Sequence, residues 1–165
     1  MTDRINGLPD TILLAIVKQI QNNVIPLNGD GACFIALDPE KNPGATAGDY
    51  FAIVSPEAGN FAAGNLDGGG QFVCTVESGF SVRIYSTAQI DPAKRDALFL
   101  TDESRGIFLL ATQVLKALTC FDPEINGQFV VRDQILPKSF DVGRPDRGLG
   151  WLELRFQLNF DWDLS

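Results

Sequence analysis

The stretch Ala58-Gly59-Asn60-Phe61-Ala62-Ala63-Gly64-Asn65-Leu66-Asp67-Gly68-Gly69-Gly70 is where main-chain N–H groups could cradle a phosphate. That chemistry needs a Lys to reach the phosphates and a Ser or Thr to hold magnesium directly after the second glycine. Asn65 and Leu66 stand there instead. A dinucleotide cradle needs a helix after the glycines, whereas the residues beyond Gly70 read as a strand. Calcium would suit Asn28-Gly29-Asp30-Gly31, but the alternating oxygen ligands and the closing bidentate Glu of a helix–loop–helix calcium site are missing. Turn chemistry accounts for that segment, because Asn and Gly accept left-handed backbone. Asp161 and Asp163 share a strand face and read as solvated terminal charges. The chain has no histidine, which removes imidazole bases and His-dependent zinc sites. It also lacks a G-x-S-x-G elbow and an S-x-x-K pair. No enzyme, cofactor or metal site is expected.

Cys33, Cys74 and Cys120 are too few and too scattered for a disulfide scaffold, and read as free thiols in a reducing compartment. The first ten residues do not read as a signal peptide, and no apolar run approaches a membrane span.

The elements that would position any site follow from periodicity. Ile12, Leu13, Ile16, Val17 and Ile20 recur at helical spacing after Pro9, so a helix is expected up to about Gln21. Short strands are expected at Cys33–Leu37, Tyr50–Val54, Gln71–Val76 and Phe80–Thr87, the last two as a hairpin turning at Glu77-Ser78-Gly79 in an antiparallel meander. Phe80, Val82 and Ile84 alternate with Ser81, Arg83 and Tyr85, which predicts one buried and one wetter face. Asp91–Ala97 reads as a single helical turn. A second helix is expected from a cap at Thr101 or Asp102, with Ile107, Leu110, Ala111, Val114 and Leu118 on its core face.

Phe108, Leu109 and Leu115 lie beyond that stripe, so this helix is either buried on more than one side or part of a subunit contact. After a turn at FDPEINGQ and the run Phe129–Val131, the segment LPKSFDVGRPDRGLG reads as an irregular connection. The last run alternates strictly from Leu152 to Trp162, a strand long enough to project past its own sheet. The expected fold is α/β of the α+β kind, in one domain over residues 1–165. A mainly antiparallel central sheet packs on two helices, with a long C-terminal strand and a Gly-rich loop at about 58–70.

With 165 residues, 45% of them apolar, the chain can build a core without staples. Its net charge of −8 opposes a main role in gripping phosphate backbones. No basic residue occurs from Asn42 through Val82, so this half would repel nucleic acid if it lined a passage. Arg132, Lys138, Arg144, Arg147 and Arg155 gather around the late strands and could complement the acidic half of an adjacent copy.

The opening helix NGLPDTILLAIVKQIQ, the strand SVRIYS, the helix TDESRGIFLLATQVLKAL and the closing GWLELRFQLNFDWDLS together resemble the tail terminator proteins of long-tailed bacteriophages. Head–tail neck proteins of related build share that likeness. The resemblance implies a structural virion protein, assembled in the host cytoplasm as a homo-oligomeric ring, with a hexamer as its copy number. Such a ring caps the tail tube, offers a face to the head connector and leaves a passage for DNA without binding it specifically. On that view Phe108, Leu109 and Leu115, with Arg155 and Gln157 of the last strand, are candidates for the subunit interface. Asn60, Phe61, Asn65 and Asp67 are candidates for a loop facing tube or connector. A small soluble binding or adaptor domain is the alternative from another class.

Overall fold

A computed structural model describes residues 9–38, 50–62, 73–86, 106–125, 127–146 and 149–163. The two helical stripes become two helices. Helix α1 (Pro9–Asn23) buries Ile12, Leu13, Ile16, Val17 and Ile20 completely or nearly so. A single 3-10 turn at Ile25–Leu27 follows, with Pro26 inside it, where its missing N–H costs nothing. Helix α2 (Ile107–Leu118) buries Ile107, Leu110, Ala111, Val114 and Leu118. It starts later than Thr101 or Asp102 because Gly106, extended at φ −64° and ψ 140°, is its N-cap. Gln19 of α1 donates to the Ala117 carbonyl at 3.0 Å, tying the helices together.

The strands are β1 (Cys33–Ile35), β2 (Tyr50–Pro56), β3 (Asn60–Phe61), β4 (Val73–Ser86), β5 (Glu124–Ile125), β6 (Gln128–Phe129), β7 (Leu136–Asp146) and β8 (Leu149–Asp163). The main sheet has six strands in the order β1-β2-β4-β8-β7, with β3 also on β4, while β5 and β6 form a separate hairpin. Every pairing is antiparallel except β1 with β2, which is parallel. This one parallel pair departs from the expected antiparallel meander, while the sheet as a whole is mainly antiparallel, as expected. The 14 residues from 36 to 49 that join the two strands are long enough for the crossover that parallel pairing demands.

The expected hairpin at Glu77-Ser78-Gly79 is also corrected, since Val73–Ser86 is one strand paired with β8 from Val73↔Asp163 to Ser86↔Gly150. Gly79 serves close approach instead of a turn. A Cβ there would lie 2.6 Å from the Phe156 carbonyl oxygen and 2.8 Å from Glu57 Oε2. The third correction concerns LPKSFDVGRPDRGLG, most of which is strand β7 and not an irregular connection. Pro137 and Pro145 are tolerated because β7 is an edge strand, and register shifts at Pro137/Ser139 and Gly143/Asp146 absorb the irregularity.

The core lies between the helices and one sheet face. Phe80, Val82 and Ile84 of β4 meet Leu152, Leu154, Phe156, Leu158 and Phe160 of β8 there, and the Phe80 and Phe156 rings stack at 5.0 Å. The opposite face is not wet as alternation alone suggests. Phe51, Ile53 and Tyr85 are buried on it beside Phe34, Ala36 and Trp151. Expectations at Asp91–Ala97 and for the Gly-rich segment beyond Ala62 lie outside the described residues.

Candidate interaction surfaces

Alternation along β7 decides which of its side chains can meet a partner. Phe140 pairs with Leu154 and Val142 with Leu152, so both stand on the helix face of the sheet, yet they are 63% and 36% exposed. Beside them Phe108 and Leu109 open the first turn of α2, exposed by 42% and 39%. The Phe108 and Phe140 rings meet edge to face at 6.3 Å. Helix and edge strand thus expose one apolar strip. Leu115 is different: it is half-buried and packs against the core. Phe140 and Val142 were hidden by two prolines and three glycines in the surrounding segment. Their spacing of two was the signal that could have revealed a strand.

The other sheet face carries a charged network. Glu153 accepts from Arg83 at 2.7 Å and 2.8 Å and from Arg155 at 2.9 Å, and Arg155 reaches Glu57 at 3.8 Å. Arg83 also stacks over the Trp151 ring at 4.1 Å. Burial works against the Arg83 charge, but its hydrogen bonds to Tyr85 and Glu153 outweigh that and move its pKa up. Hydrogen bonding to Glu153 likewise raises the pKa of the exposed Arg155. These groups are matched to each other, which leaves Arg155 less charge to offer a neighbour. Arg132 is engaged too, bridging to Asp161 at 3.1 Å and donating to Thr75 at 3.0 Å. Lys138 makes no ion pair among the described residues.

The two candidate loop residues that are described sit on β3. Asn60 pairs with Glu77 and Phe61 with Val76, so this part of the Gly-rich stretch is a short strand. Phe61 is 66% exposed and leans on Trp162 with ring centres 6.1 Å apart. Together with Leu13, Val76, Leu158 and Phe160 they line a mainly apolar cleft of about 270 Å³. Asn60 and Gln157 meet at a second, polar cleft of about 430 Å³ that also holds Glu57, Glu77 and Lys138. The fold therefore brings one interface candidate, Gln157, and one loop candidate, Asn60, to the same place. Asn65 and Asp67 lie outside the described residues.

The cysteines stay apart as free thiols, and burial pushes Cys33 up to about 12, which keeps it protonated and unreactive. Asn28-Gly29-Asp30-Gly31 is a turn in which Gly29, at φ +136°, accepts from the N–H groups of Ala32 and Cys33. Among the described residues no three Cys, Asp or Glu side chains form a group that could hold a metal ion. No described helix is long and apolar enough to cross a membrane. What the surface offers is an apolar strip, a charged face and two clefts.

No protein-family model matches the chain, and no curated protein sequence matches it. Among solved structures it is similar to a chain of the virion of a native gene transfer agent particle. The TM-score is 0.52 and the identity 17%, and the match covers 92% of this chain and 95% of that one. The two chains share a fold from end to end.

Proposed function

We propose that this protein is a structural component of a phage-like virion, working as a tail terminator-like ring where the tail tube meets the head connector. The observation that carries the reading is the fold shared with a gene transfer agent virion chain across nearly the full length of both. The apolar strip of Phe108, Leu109, Phe140 and Val142 supports it, because an edge strand with exposed aromatics asks for a neighbour. Two chemically different ends to the sheet suit head-to-tail contacts, which close into a ring when the rotation permits. On this reading the protein acts by shape, without catalysis, and localises to the neck of the particle.

The test is genetic and visual. Particles lacking this protein should show tail tubes of uncontrolled length and tails without heads, and purified protein added back should restore both. Tubes of normal length joined to heads in its absence would reject the terminator role.

A further inference from the structure

The sheet ends in two unlike edges. At one end β7 pairs with β8 on its inner side and, among the described residues, with no strand on its outer side. At the other end β1 pairs, among the described residues, only with β2. Part of the β1 edge is already closed: the Cys33 N–H donates to the Gly29 carbonyl at 3.1 Å, and its own carbonyl accepts from Gln21 Nε2 at 3.0 Å. The open part runs from Ile35, half-buried on the helix side, to Leu37, which is 86% exposed.

We propose that the Ile35–Leu37 end of a second copy docks on the outer edge of β7, so that the sheet continues head to tail from copy to copy. The inference rests on the ring reading above and names its subunit junction. Phe140 and Val142 stand on the helix side of β7, and Ile35 stands on the helix side of β1. A continued sheet therefore keeps the helices of every copy on one side and lays Leu37 near Phe140 and Phe108. Charges agree with this pairing. Lys138, which makes no ion pair among the described residues, lies beside the open stretch of β7, while exposed Asp30 lies just before β1. Pairing β7 with itself about Asp141 would instead set two aspartates opposite each other, which is repulsive. Because Cys33 has spent its main-chain groups, the junction has few backbone hydrogen bonds to gain, and the apolar side chains must carry it.

Phe140→Asp and Leu37→Asp test the junction from its two sides. Both residues are mostly exposed, so each variant should keep its unfolding midpoint within about 2 °C of the parent. In sedimentation at tens of micromolar the parent should assemble, and each variant alone should run as the 18.0 kDa chain. An equimolar mixture should form a two-chain species and nothing larger, since one junction is intact and each free end carries a charge. A Leu37→Asp chain that assembles like the parent overturns the junction, as does a mixture that stays monomeric while both chains are folded. If the parent and both variants all form the same closed ring, the junction is wrong and the ring reading stands. If the parent neither assembles alone nor sediments with tail tubes, both fall.

Discussion

The centre of the sheet and its β7 edge use the same amino-acid types to opposite ends. In the centre, β4 and β8 pair over fourteen positions, Phe80 and Phe156 are fully buried, and the acidic side chain of Glu153 is held by two arginines. At the edge, Phe108 and Phe140 meet edge to face, and they and Val142 remain open to water. Burial in the centre stabilises the folded chain. Exposure at the edge leaves that apolar free energy available for association. Substitutions in the two regions should therefore divide cleanly between stability and assembly.

The largest effect is expected at Glu153. Glu153→Ala removes the carboxylate that balances the buried Arg83 charge, leaving it Tyr85 and the Trp151 ring, and should cost about 3–5 kcal/mol in denaturant unfolding. Pairing Arg83→Met with Glu153→Leu should recover much of that loss, because two apolar groups remove the stranded charge. Gly79→Ala comes next: its Cβ would press on the Phe156 carbonyl and Glu57, for about 1–3 kcal/mol. At the edge, Phe108→Ser should cost only about 1 kcal/mol of stability while weakening self-association, and a loss as large as that at Glu153 would erase the contrast.

The smallest effect concerns the thiols. Exposed Cys120 should react with maleimide at pH 8 while Cys33 does not. Because folding raises the Cys33 pKa, its contribution to stability is present below about 8.5 and declines as pH rises toward about 12. Cys33→Val should flatten that alkaline decline in a pH series of unfolding curves.

Much of this fold is legible in the residues. The two helical stripes and the six-fold alternation from Leu152 to Trp162 each bury one face, so periodicity reports them directly. The strand β7 is not legible, because Pro137, Pro145 and Gly143 carry loop signals that only an edge position excuses. Gly79 misleads for a related reason: glycine marks a turn and a close backbone approach alike. Of the surface, Phe108 and Leu109 stand out as apolar residues off the core stripe, whereas Leu115 resembles them in sequence and differs only by what packs over it. Phe140 escaped with its strand. The pairing of Glu153 with Arg83 across 70 residues depends on the β4–β8 register, which no local pattern fixes.

The mass of the purified chain in solution, by native mass spectrometry at tens of micromolar with and without tail tubes, tests the central claim most directly. A closed ring predicts one dominant species at a whole multiple of 18.0 kDa, retained on the end of the tube. A chain that stays at 18.0 kDa under both conditions would contradict it.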